Sequence, residues 1–318
     1  MARKYGYVDP LLSNIAVDYS QRVREGLVGS IIFPRIPVPK PSGKYAKFDK
    51  EAAYKVPDTT MAGERSQANE FHASAKTVNY ATTPHGLKTF IDSADLEFMD
   101  GPFKAWEKRM TELLVSKLEL DQEKRIAKKI LTLPGRSTTL TGTGSGAGHK
   151  WSNGGGDPFT DIKSGIAQLF WRPNLILFNE AIYDVLEYHP VLIAKLGEAN
   201  LIKKVDEANL AKLFRVDRVI ISSGRADFAK RNQAESVDPK SIWGDAVILA
   251  HTNDQWDQPC AGKTFSLQYK EADNQGYVVR TWDEEDGGVL GGEYVQVAHE
   301  TDEVVVSEEL IYVLKDVI

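Results

Sequence analysis

Four prolines within eight residues constrain this chain more than any other feature. Pro34, Pro37, Pro39 and Pro41 stand in the segment FPRIPVPKPSGKY. Each proline ring opposes a helix and removes a donor from any continuous sheet. The chain must therefore leave this point as an extended edge or a polyproline-like segment. Over residues 40–90 no helical periodicity follows.

Residues 36–90 predict a two-armed ribbon, because turn residues (PDTTMAG, 57–63) stand in their middle. About twenty residues per arm, at roughly 3.3 Å each, reach about 65 Å, whereas a small domain measures about 30 Å. A two-stranded ribbon is marginal alone in water, so other surfaces must hold it. Aromatic residues argue against simple disorder; they are Tyr45, Phe48, Tyr54, Phe71 and Tyr80. An ordinary sheet with unseparated strands is the alternative.

The clearest helix is predicted over residues 101–133, with Pro102 at its start and Pro134-Gly135 after its end. About thirty residues make a strut of roughly 45 Å. Its core-packing side chains are predicted to be Phe103, Trp106, Met110, Leu113 and Leu118. Its opposite, solvated face is predicted to carry Glu107, Lys108, Glu112, Lys117, Glu119, Glu123, Lys124 and Lys128. A shorter amphipathic helix is predicted over residues 11–29.

The segment after the long helix, GRSTTLTGTGSGAGHKWSNGGGDP, predicts a flexible surface loop. Helices are then expected over residues 158–169, 179–188 and EANLAKLF. Strands are expected at NLILF, RVIISS, AVILAH, TFSLQY, YVVRTW, EYVQVA, EVVVS and LIYVL. The fold class is therefore α+β with a largely antiparallel second half.

Composition excludes several functional classes. With 318 residues, 42% of them hydrophobic, the chain can bury one large or two modest cores. A net charge of -6 gives no electrostatic reason for dedicated nucleic-acid recognition. No run approaches the roughly 20 apolar residues of a bilayer span, and MARKYGYVDP lacks a signal-peptide core, which favours a cytosolic protein. The single Cys260 excludes an internal disulfide and a cysteine-rich metal site.

No catalytic, cofactor-binding or metal-binding residue is predicted. Gly142, Gly144 and Ala147 fit the loose dinucleotide pattern, but a helix and Pro134 precede them where a strand is required. The six histidines show no helical zinc spacing, and no serine stands in a G-x-S-x-G elbow. A cytosolic enzyme that cradles a nucleotide in the glycine-rich loop remains the alternative of another class.

Six passages carry a resemblance that runs across almost the whole chain. They are LLSNIAVDYSQR, IIFPRIPVPKPSGKYAKFDKEAAYKVPDTTMAGERSQANE, PFKAWEKRMTELLVSKLELDQEKRIAKKI, RPNLILFNEAIYDVLEYHPVLIAKLG, ANLAKLFRVDRVIISS and IWGDAVILAHTN. Their order resembles the major capsid protein of tailed bacteriophages, whose shell fold is shared with encapsulins. None of them is a catalytic motif, so the resemblance rests on order and texture.

The resemblance implies an α+β capsid fold in four parts. Residues 1–30 would be an N-terminal arm, and 31–90 an extended β-hairpin loop with flanking peripheral-domain strands. Residues 91–157 would form the peripheral domain with its spine helix and glycine-rich loop. Residues 158–318 would form the axial domain, with part of 293–306 returning to the peripheral sheet. The implied function is structural and not enzymatic: self-assembly through pentamers and hexamers into an icosahedral shell around viral double-stranded DNA.

The resemblance also implies partners and a location. A separate scaffolding protein and a portal protein are expected, a decoration protein is allowed, and DNA would be enclosed without sequence-specific binding or a membrane. The shell would assemble in the host cytoplasm and end as the virion capsid. Candidates for contacts between subunits are Lys40, Lys44, Tyr45, Phe48, Tyr54, Arg65 and Phe71. No partner asparagine for a lysine crosslink can be identified. An encapsulin-like compartment with protein cargo is the nearest alternative.

Overall fold

The structure is a computed structural model, and it combines two sheets with one long helix. The described residues are 7–24, 27–47, 56, 59, 76–93, 105–142, 144–152, 155–196, 205–227, 239–255, 258–269, 276–285 and 291–318. Within these ranges, none of the helices has the length and apolar character that crossing a bilayer would require.

Helices and strands alternate along the described chain. The helices are α1 (Pro10–Arg24), α2 (Gly29–Ile32), α3 (Ala105–Leu131), α4 (Pro158–Ala167), α5 (Glu180–Glu187), α6 (Pro190–Leu196) and α7 (Glu207–Phe214). The strands are β1 (Tyr7–Val8), β2 (Arg35–Val38), β3 (Ser42–Lys47), β4 (Lys76–Ala81), β5 (Thr83–Asp92), β6 (Ser137–Thr139), β7 (Leu175–Asn179), β8 (Arg218–Ser222), β9 (Arg225–Ala226), β10 (Lys240–Ser241), β11 (Val247–Ala250), β12 (Gly262–Leu267), β13 (Val278–Glu284), β14 (Gly292–Val305) and β15 (Ile311–Lys315).

The larger sheet is organised around β14, which has 14 residues. Strand β5 pairs antiparallel with one edge of β14, while β13 and then β12 pair antiparallel with the other. The outer strands are β1 beside β13 and the parallel β2 beside β12. The two strands predicted at EYVQVA and EVVVS are therefore one strand. Its inward polar residues, His299, Thr301 and Glu303, are buried instead of forming a turn.

The smaller sheet has the order β6-β15-β11-β7-β8, with β7–β8 and β6–β15 parallel. Strands β7, β11 and β15 supply most of its apolar side chains, which alternate between the two faces, as expected for strands covered on both sides. One face packs against α4 to α7 through residues such as Ile162, Ile182 and Phe214. The other face meets the carboxyl-terminal half of α3 at Ile126, Ala127 and Ile130.

Helix α3 connects the two sheets. Its amino-terminal half packs Leu114, Val115 and Leu118 against α1 and the β13–β14 part of the larger sheet. Its carboxyl-terminal half packs against the smaller sheet, so one rigid element of 27 residues fixes both layers. The long helix predicted from the sequence is thus found, with residues 101–104 outside the described ranges.

The sheets do not divide at the boundary that the sequence suggested. Strands β12 and β13 precede 293–306 in the chain, yet both belong to the larger sheet because β14 needs partners along its whole edge. Strand β6 directly follows α3 and pairs with β15 of the smaller sheet. The helix predicted over 11–29 is also shorter, since α1 ends at Arg24 and a separate α2 begins at Gly29.

Candidate assembly surface

The ribbon begins as a regular two-stranded ladder. Strands β3 and β4 pair antiparallel from Ser42–Ala81 to Lys47–Lys76. The prediction of a two-armed ribbon is confirmed for these six pairs, which we call the ribbon root. The contact candidates Phe48, Tyr54, Arg65 and Phe71 lie outside the described residues, as does Phe103.

Two tyrosines anchor the ribbon root to its own subunit. The rings of Tyr45 and Tyr80 lie 5.4 and 4.5 Å from the ring of Phe265 in β12. Tyr45 is only 8% exposed, and burial, followed by the nearby Asp302 carboxylate, raises the pKa of its phenol. The interpretation of Tyr45 as a contact with a neighbouring subunit is therefore wrong, because its ring already completes an internal cluster.

Polar contacts fix the same root to β14. The backbone N–H of Ala81 donates to the Asp302 carboxylate over 3.0 Å. The Thr82 hydroxyl donates to Glu300 over 3.2 Å, and its N–H donates to the Pro41 carbonyl over 2.8 Å. The direction in which the ribbon leaves the subunit is thereby set at both strands.

The lysines of the ribbon root point outward. Lys40 and Lys44 are exposed, and Lys47 lies 4.0 Å from Glu308. Lys40 and Lys44 therefore stay candidates for contacts between subunits. An exposed pair at 4.0 Å contributes little to stability, so Lys47 can also exchange partners.

A substitution at Gly43 tests the anchor. A Cβ atom at Gly43 would lie 2.7 Å from the Tyr80 ring, which Phe265 stacks against on its other side. We expect Gly43→Val to lower the free energy of unfolding by about 1–2 kcal/mol, the usual cost of overpacking. Ala46→Val, at an exposed position of the same strand, is the matched control and should change stability little. Equal denaturation midpoints for both variants would show that the Tyr80 ring is not held.

The apolar face of α3 largely follows the predicted residues. Leu118 is buried at 3% exposure, and Trp106 and Met110 are partly buried against the same cluster. Leu113 is 49% exposed, so its assignment to the packing face is wrong. Each helical residue turns about 100° from the last, and it is the neighbouring Leu114 that faces the sheet.

Two acids that the sequence placed on the solvated face of α3 are instead buried. Glu123 is 2% exposed and accepts three hydrogen bonds: from the N–H groups of Val28 (3.1 Å) and Gly29 (2.6 Å) and from the Trp243 indole (2.7 Å). Burial raises the pKa of Glu123, and the three donors oppose that shift. One carboxylate therefore ties the start of α2 and the loop before β11 to the long helix. Glu107 is also buried, at 7% exposure.

Glu119 lies one turn earlier and fixes β2 and β13. It is 3% exposed and accepts from Arg35 at 2.8 Å and from the Tyr277 hydroxyl. Burial opposes the charge of Arg35, but Tyr277 and Glu119 outweigh it, and the pKa of the guanidinium is raised. Gln122 also accepts from Arg35.

A third ion pair joins α3 to β14. Arg125 donates to Glu303 over 3.0 Å, and Glu303 is buried. Burial alone would raise the pKa of Glu303, but the hydrogen bonds and charge of Arg125 prevail and lower it. A sequence signal for these buried acids existed: Glu119, Gln122 and Glu123 fall on the same helical stripe as Leu118 and Ile126.

The glycine-rich loop is held to the smaller sheet and is not the free surface loop that was predicted. Trp151 is fully buried, its indole donates to Asp161 over 2.9 Å, and its N–H donates to the Val317 carbonyl over 2.7 Å. Gly148 donates its N–H to the other Asp161 oxygen over 2.7 Å, and Asp157 caps α4. Carboxylates therefore occupy the donors that a nucleotide phosphate would need, which argues against a nucleotide cradle here.

Comparisons with known proteins address the fold as a whole. No protein-family model matches the chain. In sequence it is similar to the major capsid protein of Pseudomonas phage JBD67, with 26% identity over 312 residues, which cover 95% of this chain and 94% of that protein. In structure it is similar to a phage-related protein from Bordetella bronchiseptica RB50, with a TM-score of 0.72, 19% identity and coverage of 99% and 98%. The capsid of Cyanophage P-SCSP1u gives a TM-score of 0.57 at 10% identity, with coverage of 89% and 86%.

The chain has the capsid fold of tailed phages. This confirms the predicted resemblance, the α+β capsid fold class and the prediction of a shell-forming structural protein. The encapsulin of Synechococcus elongatus PCC 7942 shares the capsid fold, with a TM-score of 0.54 at 9% identity and coverage of 90% and 86%. The sequence relative is a capsid protein, and neither the compartment nor the enzyme is favoured.

Proposed function

We propose that this chain is the major shell subunit of a tailed-phage capsid and that its ribbon grips the next copy. The observation that carries the proposal is the ribbon root: a ladder locked to β12 and β14 by Tyr45, Tyr80 and Asp302, from which the remaining ribbon extends. An anchored root transmits any load on the ribbon directly into the larger sheet and α3. A standard contact buries about 800 Å² on each partner, and several such contacts per subunit would hold a shell.

The parts of the subunit receive roles on this proposal. The peripheral domain consists of the larger sheet, including β12 and β13, together with α3 as its spine. The axial domain consists of the smaller sheet with α4 to α7 and packs around the centres of pentamers and hexamers. Residues 1–30 form the N-terminal arm. The chain acts without a cofactor and as a structural protein, not as an enzyme.

The partners and location follow from the same proposal. A separate scaffolding protein guides assembly in the host cytoplasm, a portal protein occupies one vertex, and a decoration protein can bind outside. The finished shell is the virion capsid around double-stranded DNA. The sequence similarity to a phage capsid protein supports this cargo over an enzyme cargo.

Electron microscopy of the purified full chain, alone and with its scaffolding protein, tests the proposal. We expect closed shells of uniform diameter built from rings of five and six. Particles that contain duplex DNA after expression with the packaging proteins would support the viral cargo. Persistent monomers under all conditions would contradict the shell function.

A further inference from the structure

Helix α3 sorts its charges between its two sides. Three of its five acids, Glu107, Glu119 and Glu123, are buried against the rest of the subunit. A fourth, Asp121, is exposed but is paired with Arg125 one turn later. The solvent side of the carboxyl-terminal half therefore keeps basic side chains without matching acids.

Three exposed lysines form a line on that side, which we call the basic stripe: Lys117, Lys124 and Lys128. They are spaced 7 and 4 residues apart, which places all three within about 20° of one line along a helix of 3.6 residues per turn. The line is about 16 Å long at 1.5 Å per residue. Among the described residues, Lys117 and Lys128 have no carboxylate within ion-pair distance.

The basic stripe is a local exception on an acidic chain with a net charge of -6. A duplex aligned with a line of about 16 Å would present about ten phosphates, at one charge per 1.7 Å. Contacts of lysine with phosphate need no groove and carry no sequence information. A docked protein would require an apolar centre, and the solvent side from Lys117 to Lys128 offers only charged side chains and the partly buried Leu120.

We propose that the basic stripe contacts the phosphate backbone of the enclosed duplex DNA, independently of sequence. This inference rests on the proposed function, since only an enclosed duplex would meet every copy of the stripe. It places α3 on the inner surface of the shell. An acidic protein segment is the competing ligand, and the exposed Leu113, one turn before the stripe, would favour it.

The test compares two charge-reversed variants of the full chain. In the stripe variant, Lys117, Lys124 and Lys128 are changed to Glu; in the control variant, the exposed Lys195, Lys212 and Arg218 are changed to Glu. Both changes alter the net charge equally. Binding of a labelled 30-base-pair duplex of mixed sequence is measured by fluorescence anisotropy between 50 and 300 mM salt, with a 20-residue polyglutamate peptide as the second probe.

We expect the wild-type chain to bind the duplex at 50 mM salt and the stripe variant to bind at least tenfold more weakly. The slope of log affinity against log salt should fall by about 0.9 per lost phosphate contact, or about 2.7 for three. The control variant should keep the wild-type slope. Equal losses in both variants, no duplex binding by the wild type, or stripe-dependent binding of polyglutamate alone would overturn the proposal.

Electron microscopy separates this inference from the shell function. The stripe variant should form normal empty shells. If the wild type forms shells and the stripe variant does not, the lysines contact a neighbouring subunit, and the DNA contact is refuted while the shell function stands. If the wild type forms no shells, the shell function fails whatever the binding result.

Discussion

A subunit whose ribbon is cut back to its root is expected to fold normally and to form no closed shells. The variant joins Lys47 directly to Lys76 through an Asn-Gly turn and omits residues 48–75. Lys47 and Lys76 are paired across the β3–β4 ladder, so a two-residue turn closes the hairpin without changing its register. Tyr45 and Tyr80 stay on Phe265, and the internal core is therefore retained.

Two measurements check this result. The thermal midpoint should stay within about 3 °C of the wild type, a change of about 1 kcal/mol for a protein of this size. Electron microscopy should show capsomers or monomers and no shells. A second variant that replaces 48–75 by a Gly/Ser chain of equal length tests whether length alone is enough, and it should also fail to assemble. Normal shells from the truncated variant would refute the gripping role of the ribbon.

Replacing Glu123 by Gln is expected to give the largest loss of stability among conservative changes in α3. Gln keeps one oxygen for some of the donors, Val28, Gly29 and Trp243, but turns an amide N–H₂ group toward another. The hydrogen bonds also lose the assistance of the negative charge. A buried hydrogen bond to a charged group contributes about 1.5–3 kcal/mol, and an unsatisfied buried donor costs about 1–3 kcal/mol. We expect a loss of about 3 kcal/mol in the free energy of unfolding.

The measurement is chemical denaturation followed by Trp243 fluorescence, since the indole lies in the affected contact. Glu112→Gln is the control: it removes the same charge from the same helix at a partly exposed position and should cost well under 1 kcal/mol. If the two variants are equally stable, Glu123 does not hold α2 and Trp243 to the helix. Shell yield should fall with Glu123→Gln only as far as stability falls, because Glu123 lies inside the subunit.

Several elements of the fold were predictable because their signals are local. The long helix has end signals at both termini, and α3 is found at Ala105–Leu131. The prolines and turn residues predict an extended ribbon, and the β3–β4 ladder confirms its root. The helix EANLAKLF is found at Glu207–Phe214, where Asp206 caps it. In each case neighbouring residues in the sequence determine the outcome.

The errors concern residues whose environment comes from distant parts of the chain. Glu119 and Glu123 are buried because Arg35, Trp243 and two N–H groups reach them across at least 84 positions of sequence. Tyr45 faces inward because Phe265 of β12 lies beneath it. The glycine-rich loop is fixed by Trp151 and by the last residues of the chain. Hydropathy alone cannot predict a polar group that tertiary partners satisfy.

The sequence by itself determined the kinds of element and their order: a proline-led ribbon, a long amphipathic helix and an α+β second half, without a credible catalytic motif. Those features depend on backbone propensity and on local periodicity, which a single chain displays directly. Only the tertiary structure decided how β14 joins strands from both ends of the chain and which charges of α3 turn inward. Strand pairing and the burial of charge depend on partners far apart in sequence, so their energies exist only once the chain has folded.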